Sequence, residues 1–280
     1  MEQLLLQKEK PKQREALYFI DTKDKERILV AGDIHGDYES FENILKEFDY
    51  FTDILIFLGD YADRGLNGVE VIKGIYDLIE RHPDRIIALK GNHEDYKITC
   101  LGDEEPIVIP TFSPCTLIDE VKEKFERESD FWCKIFKPFV QKTYLAAIIP
   151  NEILFVHGGV SSKIQSIDDL KYPSSEVEKD ILWSDPFDDE GERPNSRGAG
   201  VEFGKNVSKD ICKSLDIKRI VRSHQPRKAA SGPYVEHDGR VITTSATRVY
   251  GGRPFLFEIP LNDVDKVFKE IDKHTIWLDY

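Results

Sequence analysis

Three short clusters of metal-binding side chains, each beginning with glycine, lie close together in the N-terminal part of the sequence. They read GDIHG at 32–36, GDYADRG at 59–65 and GNHE at 91–94. Each cluster directly follows an apolar run, at 27–31, 54–58 and 85–89, that predicts a strand. Because open α/β sheets bind ligands at the carboxyl ends of their strands, the repeated Asp, His and Asn side chains predict a metal site.

The order of these side chains favours a pair of divalent ions. Asp33 and His35 alternate within one short turn, so both side chains can hold a single ion. Asp60 has the equivalent place after the next strand, where its two carboxylate oxygens can bridge two ions. The neutral ligands expected for the second ion are Asn92, His157 and His224. Mixed carboxylate, imidazole and amide ligands favour Mn, Fe or Zn, and two such ions activate water and clamp a phosphoryl group.

The histidines divide into two groups. Of the seven in the chain, four lie at or just beyond predicted strand ends beside Gly or Ser, namely His35, His93, His157 and His224. The other three, His82, His237 and His274, have ordinary surface contexts. We therefore expect only the first group to belong to a site.

Composition limits the classes of partner. The formal net charge of −13 argues against broad contact with a nucleic acid backbone, so a phosphate-bearing substrate needs local cations. No apolar stretch approaches the roughly 20 residues that span a bilayer, and the start lacks the apolar region of a signal peptide. We expect a cytoplasmic protein that binds neither nucleic acid nor membrane. The four cysteines, which lack Cys-x-x-Cys spacing, are expected to be buried, reduced thiols: Cys100, Cys115, Cys133 and Cys212.

The elements that must position these residues alternate between strand and helix. Helices are predicted near 38–48 and 68–81, between the three strands, which is the βαβαβ pattern of a parallel sheet. Later elements are predicted as helices over 117–128, 131–142 and 204–215 and as strands over 144–149, 152–156, 219–222, 240–245 and 254–259. Residues 1–24 are expected to form an arm laid on the domain. The Pro-, Gly- and Asp-rich segment 186–200 is predicted to be a mobile loop.

At this point the chain resembles a known family. The strings GDIHG, GDYADRG, GNHE and HGG, followed by WSDP, RGAG and SHQ, are similar to those of the phosphoprotein phosphatase family of metal-dependent Ser/Thr phosphatases. The resemblance runs from about residue 32 to 252 and is to the archaeal or bacterial type related to protein phosphatase 1. It implies a metallophosphoesterase fold, a central β-sandwich flanked by helices, rather than a doubly wound sheet. The catalytic domain is then expected over 25–280, with a small helical insertion over about 100–142.

The resemblance also implies roles for single residues. The first ion would be held by Asp33, His35 and Asp60, and the second by Asp60, Asn92, His157 and His224. His93 matches the general acid that protonates the leaving oxygen, and Asp63 matches the carboxylate that orients it. Arg64 and Arg197 match the arginines that grip the phosphate. Trp183 is interpreted as a core anchor, and Asp185 as a turn residue or as a residue holding a ligand histidine.

One segment departs from the family pattern. Residues 245–252 read SATRVYGG where the family usually has SAPNYCG, so this loop is altered and one residue longer. Tyr250 is still expected to bind the substrate phosphate. Arg248 fits an extra anion contact and a solvated loop position equally well.

The resemblance implies a serine/threonine-protein phosphatase that hydrolyses phosphomonoesters by direct attack of a hydroxide bridging two metal ions, with Mn as the first expectation and Fe or Zn as alternatives. Three other functions stay open. They are a dinucleoside polyphosphate hydrolase, a tyrosine or dual-specificity phosphatase, and a catalytically silent scaffold. Glu94, with the WSDP and RGAG motifs, favours the protein phosphatase over the dinucleotide hydrolase. The sequence does not identify a regulatory partner.

Overall fold

The structure is a computed structural model that describes residues 14–102 and 104–278. Residues 1–13 of the expected arm lie outside the described residues. The strands are β1, Leu17–Phe19; β2, Arg27–Ala31; β3, Asp53–Phe57; β4, Ile86–Ala88; β5, Tyr96–Thr99; β6, Ile107–Pro110; β7, Ala146–Ile149; β8, Ile153–Val156; β9, Asp185–Pro186; β10, Glu192–Pro194; β11, Val201–Phe203; β12, Arg219–Arg222; β13, Tyr234–Glu236; β14, Val241–Thr243; β15, Phe255–Pro260; and β16, Thr275–Trp277. The α-helices are α1, Tyr38–Glu47; α2, Gly68–Arg81; α3, Leu117–Lys124; α4, Glu128–Phe131; α5, Lys137–Lys142; α6, Ile167–Lys171; α7, Ser175–Trp183; α8, Lys205–Ser214; and α9, Val264–Val267.

Two large sheets form the centre of the fold. One has five strands in the order β16-β15-β2-β3-β4, and the other has six in the order β1-β7-β8-β12-β14-β13. Strands β2, β3 and β4 run parallel, as the alternation of strand and helix predicts. β1 pairs in parallel with β7, so part of the segment expected to be an arm is an edge strand of the second sheet.

Side-chain alternation along the strands explains how the sheets pack. In β2, Ile28 and Val30 belong to a buried cluster that also contains Phe155 of β8 and Val221 of β12, so this cluster lies between the sheets. Leu29 and its alternate neighbours instead pack with α1 and α2 on the outer face. A separate cluster packs the other sheet against α6, α7 and α8. The predicted β-sandwich flanked by helices is therefore confirmed. The strands are apolar on both faces because both are covered, which is also the pattern of a doubly wound sheet.

The region between β4 and β7 folds over the carboxyl end of the first sheet. It consists of the hairpin β5–β6, then α3, α4, a π-helical turn at Trp132–Phe136, and α5. Glu120 of α3 accepts hydrogen bonds from the backbone N–H groups of Gly68 and Val69, at 3.0 and 2.9 Å, and so caps α2.

One sequence prediction is wrong in this region. Cys100 and Cys133 form a disulfide with a Cα–Cα distance of 6.0 Å, so the chain does not carry four reduced thiols. Their sequence separation of 33 hid the pairing, because the fold rather than the local spacing brings them together. In the predicted loop 186–200, Pro186 ends β9 and Glu192–Pro194 forms β10, which pairs with β11, while residues 187–191 and 195–200 are outside strands and helices. Within the described residues, no helix is long and apolar enough to span a bilayer.

Candidate metal centre and active site

The six candidate metal ligands converge from both sheets. Asp33 follows β2, Asp60 follows β3 and Asn92 follows β4, whereas His157 follows β8 and His224 follows β12 of the other sheet. Several of the site residues adopt left-handed backbone, with φ of 49° at His35, 56° at Asp60 and 66° at His224. Such strain in residues other than glycine concentrates at functional sites. Close packing also explains a flanking glycine, since a Cβ on Gly59 would lie 2.5 Å from the backbone nitrogen of Gly91.

At the second predicted ion position, four potential acceptor atoms face one another. His157 Nδ1 donates to the carbonyl oxygen of Leu58 at 2.8 Å, which leaves Nε2 as an acceptor when the ring is neutral. That Nε2 lies 3.0 Å from Asn92 Oδ1, 3.1 Å from His224 Nδ1 and 3.3 Å from Asp60 Oδ1. Burial lowers the pKa of His157 to about 4, so the ring is neutral at pH 7. A cation among these atoms would satisfy all of them.

The first predicted ion position has the same character. His35 Nδ1 donates to the carbonyl oxygen of Ala62 at 3.0 Å, and Nε2 faces Asp60 Oδ2 at 3.5 Å and Asp33 Oδ2 at 3.7 Å. Burial disfavours a charged ring, but the nearby carboxylates of Asp33 and Asp60 raise the pKa of His35 to about 9. The position therefore attracts positive charge.

Unpartnered atoms test whether a metal fits. At the first position Asp33 Oδ2 is buried and has no hydrogen-bond partner among the described residues, and at the second position His224 Nδ1 lies 3.1 Å from another ring nitrogen, His157 Nε2. Burial also lowers the pKa of His224, so a neutral nitrogen is available for coordination. Carboxylate, imidazole and amide donors suit Mn, Fe or Zn. The residues thus fit two divalent ions that share Asp60.

Two buried residues that support these ligands were not recognised as site residues from the sequence. Glu94 accepts backbone hydrogen bonds from Asp60 at 2.8 Å, Tyr61 at 2.9 Å and Gly91 at 2.8 Å, which joins the loops after β3 and β4. Its position directly after the Asn-His pair was the available signal. Ser223 donates its hydroxyl proton to Asp33 Oδ1 and accepts the backbone N–H of Asp33 at 2.7 Å. Its place directly before His224 was the corresponding signal.

His93 and Asp63 form a buried pair beside the metal positions. His93 Nδ1 lies 2.7 Å from Asp63 Oδ2, and Asp63 Oδ1 accepts the backbone N–H groups of Thr116 and Leu117 at 2.6 and 2.8 Å. Burial opposes ionisation of Asp63, but these hydrogen bonds hold the pKa of its carboxyl below the usual range. The ring of Phe112 packs on His93 with a centroid distance of 4.4 Å. The insertion therefore contacts both members of the pair.

These groups open into a cleft of about 1440 Å³ that is lined by His35, Asp60, Asn92, His93 and His224, together with the three predicted substrate-binding residues Arg64, Arg197 and Tyr250. Arg197 Nε donates to Asp185 Oδ2 at 2.9 Å. The ring of Tyr250 stands edge-on to His35 with a centroid distance of 5.2 Å. The structure thus gathers every predicted ligand and substrate-binding residue at one place.

The structure also shows the surroundings of three residues near the site for which the sequence suggested a role. Asp185 contacts no ligand histidine but binds Arg197 and the fully buried Arg222, the latter at 2.9 Å. Trp183 is partly buried and packs against the core of the second sheet, as interpreted, and it also lines the cleft, with its ring centroid 5.8 Å from that of His224. Arg248 pairs with Asp37 and Glu39 near the start of α1 instead of facing the phosphate position.

His237 is buried, whereas its sequence context predicts a place on the surface. Its Nδ1 lies 2.9 Å from Ser208 Oγ, and its Nε2 lies 2.9 Å from the carbonyl oxygen of Phe187. Its side chain packs against α8, away from the candidate metal ligands. His237 is therefore still left out of the ligand set, although it is buried.

Comparison with known proteins gives consistent relatives. The profile of the calcineurin-like phosphoesterase family matches residues 26–228. A serine/threonine-protein phosphatase of Caenorhabditis elegans is 35% identical over 209 residues, covering 71% of this chain but only 42% of the relative. The serine/threonine-protein phosphatase 6 catalytic subunit of Drosophila melanogaster is 32% identical over 226 residues, covering 77% of this chain and 68% of the relative.

A solved structure shares the fold. It is a serine/threonine phosphatase from Saccharomyces cerevisiae with similarity to human phosphatase PP5, and it superposes with a TM-score of 0.75 at 23% identity. The superposition covers 95% of this chain and 83% of the yeast chain.

Proposed function

The chain belongs to the calcineurin-like phosphoesterase family, and on that premise we propose that it is a phosphatase acting on phosphoserine and phosphothreonine in proteins. The observation that carries the proposal is the convergence of buried carboxylate, imidazole and amide groups directly beside the His93–Asp63 pair, at the floor of a cleft that arginines line. The names of the two curated relatives, both serine/threonine-protein phosphatases, support the substrate class.

Membership of this family implies divalent metal ions. We propose that Asp33, His35 and Asp60 hold one ion and that Asp60, Asn92, His157 and His224 hold the other, with Mn²⁺ the first choice for reconstitution. Bound divalent ions supply Lewis acidity, which activates water and polarises a phosphoryl group. Asn92 Oδ1 and Asp60 Oδ1 both lie within 3.3 Å of His157 Nε2, which supports this ligand set.

We propose that His93 is the general acid. An alkoxide leaves poorly, so hydrolysis of a serine or threonine phosphate needs a positioned proton donor. The hydrogen bond to Asp63 occupies Nδ1 and fixes the ring, which leaves Nε2 to deliver a proton toward the cleft. Burial lowers the pKa of His93, and the Asp63 carboxylate opposes that effect by stabilising the imidazolium.

The positive side chains at the cleft bind the phosphoryl group in this proposal. Arg64 and Arg197 present guanidinium groups that can form paired hydrogen bonds with phosphate oxygens. Asp185 orients Arg197, and the buried guanidinium of Arg222 in turn holds Asp185. Tyr250 closes the side of the cleft next to His35. These arginines thus bind the negatively charged phosphoryl group locally, although the net charge of the chain is negative.

We also propose that residues 25–280 form the catalytic domain and that the insertion over about 100–142 positions the acid pair. The backbone N–H groups of Thr116 and Leu117 on Asp63 support that role. A cytoplasmic location, with a phosphoprotein as the partner, is part of the same proposal. The net charge of −13 supports the absence of nucleic acid binding.

Side-by-side hydrolysis tests the proposal. Metal-stripped protein is resupplied with Mn²⁺ and assayed on a phosphoserine peptide, a phosphotyrosine peptide and diadenosine tetraphosphate, with His93→Asn prepared in parallel to exclude a contaminating phosphatase. We expect the highest kcat/KM on the phosphoserine peptide. Preference for phosphotyrosine would change the residue specificity, and preference for the dinucleotide would move the function to nucleotide turnover. No activity on any of the three would favour the scaffold.

A further inference from the structure

The cleft contains more positive charge than one phosphate requires. Its cationic side chains are Arg64, Lys179, Arg197, Arg227 and Lys228. Apart from the metal ligand Asp60, its carboxylates are Asp95 and Glu178, and both of these pair with Lys90, at 2.6 and 3.1 Å. Lys90 therefore offsets one of these two negative charges. Three of the five cationic side chains of the cleft, Lys179, Arg227 and Lys228, have no role in the proposed binding of the phosphate.

Arg227 is the cation with the clearest position. It follows the ligand histidine His224 by three residues, and its guanidinium carbon lies 5.6 Å from the centroid of the Tyr250 ring. Tyr250 lines the same cleft as Arg64, the residue proposed to bind the phosphate. The guanidinium of Arg227 therefore lies beside Tyr250, a residue proposed to bind the phosphate, where a second charged group of a bound chain can reach it.

Comparable cationic side chains form ion pairs, whereas Arg227 does not within the part of the chain that the structure describes. Arg193 also stacks on an aromatic ring, that of Phe187 at 4.3 Å, but it pairs with Glu202. Arg248 pairs with Asp37 and Glu39. Even the neighbouring Lys228 pairs with Glu236. Among the described residues, Arg227 contacts no carboxylate at ion-pair distance, and it is exposed to the cleft.

We propose that Arg227 is a specificity residue that binds a second anionic group on the substrate, a carboxylate or a second phosphate flanking the phosphoserine; this rests on the phosphatase function proposed above. Tyr250 holds the guanidinium by a cation–π contact and so reduces the entropy lost on binding. The preferred substrates are then acidic or multiply phosphorylated segments. A negatively charged protein would otherwise repel such segments, so the local excess of cations at the cleft has a specific use.

A peptide series tests this inference. The series varies one flanking position at a time, from three residues before to three residues after the phosphoserine. At each position, three peptides are compared that contain Ala, Asp or a second phosphoserine. We expect the acidic peptides to have a kcat/KM higher by about three- to tenfold at one or two positions, mainly through a lower KM. Arg227→Gln should remove this preference and leave kcat/KM for the Ala peptides within about twofold. Arg227→Lys should keep part of it.

Arg193→Gln is the matched control, since it removes one stacked arginine outside the cleft and should leave the preference intact. Binding of non-hydrolysable phosphonate versions of the same peptides, measured by fluorescence anisotropy, separates the two proposals. Hydrolysis of all peptides without a preference that depends on Arg227 overturns the inference and leaves the phosphatase function standing. Tighter binding of acidic phosphonates through Arg227, without hydrolysis of any phosphopeptide, keeps the anion contact and overturns the phosphatase function. An advantage of the doubly phosphorylated peptides over the Asp peptides would identify phosphate as the second anion.

Discussion

The floor and the rim of the cleft are built in different ways. At the floor, Asp33, Asp60 and His157 are almost completely buried, and backbone groups or buried side chains fix each of them. At the rim, Arg64 and Arg227 are exposed and are held by few contacts. The floor therefore has the fixed geometry that the proposed ions and proton transfer require. The rim leaves its cations open for a substrate, so specificity can change there without disturbing the metal positions.

The loop over 245–252 belongs to both regions and shows where they meet. Ser245 pairs with Asp33 of the floor, whereas Tyr250 faces the cleft and Arg248 turns away to Asp37 and Glu39. The departure from the family pattern is therefore confined to the rim end of the loop. Variants of the floor should affect every substrate, and variants of the rim should affect some substrates only.

The strongest test of the floor is Asp60→Asn. Loss of the negative charge shared by both ion positions should lower metal content and reduce kcat/KM on every substrate by about 10³-fold or more. Metal per chain is measured after dialysis against Mn²⁺, with circular dichroism to show that the variant folds. A variant that kept full metal content and activity would remove Asp60 from its bridging role.

The next largest effect concerns the acid at the edge of the floor. His93→Asn should keep its metal but slow hydrolysis of a phosphoserine peptide by about 10²- to 10³-fold. The defect should be much smaller on p-nitrophenyl phosphate, whose leaving group needs no proton. The two substrates are compared at the same metal occupancy. An equal defect on both, or loss of an ion, would show that His93 acts as a ligand instead.

A smaller effect is expected at a residue that supports the floor. Glu94→Gln places an amide against the three backbone donors of Asp60, Tyr61 and Gly91, so at least one hydrogen bond is lost. Affinity for Mn²⁺ should fall by about 10- to 100-fold, and the free energy of unfolding should fall by about 1–3 kcal/mol. Metal titration and urea unfolding measure the two quantities. The exposed Glu39→Gln serves as the control, and equal behaviour of both variants would contradict the role given to Glu94.

The smallest effect is expected at the rim. Arg248→Ala breaks the ion pairs of a partly exposed guanidinium with Asp37 and Glu39, so the free energy of unfolding should fall by only about 1 kcal/mol. Hydrolysis of a phosphoserine peptide should stay within about twofold of the parent, because the guanidinium does not face the phosphate position. Steady-state kinetics measure it. A large rise in KM would mean that Arg248 moves to contact the substrate.

The sequence predicts the parts of this molecule that short-range patterns govern. Helix α2 begins and ends at the predicted residues, Gly68 and Arg81, since its apolar face repeats with the helical period. The stacking of the two sheets was not visible in the strand sequences, because β2 and β3 are apolar on both faces, as in a doubly wound sheet. Only the resemblance to a family supplied the sandwich.

The candidate site divides in the same way. Residues beside glycines at strand ends, such as Asp33 and His157, are identifiable from local sequence alone. The contact of Ser223 with Asp33 and the Cys100–Cys133 disulfide join segments 190 and 33 residues apart in the chain. Local sequence places Ser223 beside a predicted ligand but does not show which residues these side chains contact. The pairing of Arg248 with Asp37 has the same origin, because it joins residues 211 positions apart.

The central claim is that the floor holds two divalent ions that share Asp60, and anomalous diffraction from crystals grown with Mn²⁺ tests it most directly. We predict one peak among Asp60, Asn92, His157 and His224 and a second among Asp33, His35 and Asp60. A single peak, or a peak coordinated by His93 in place of Asp33, would contradict the account.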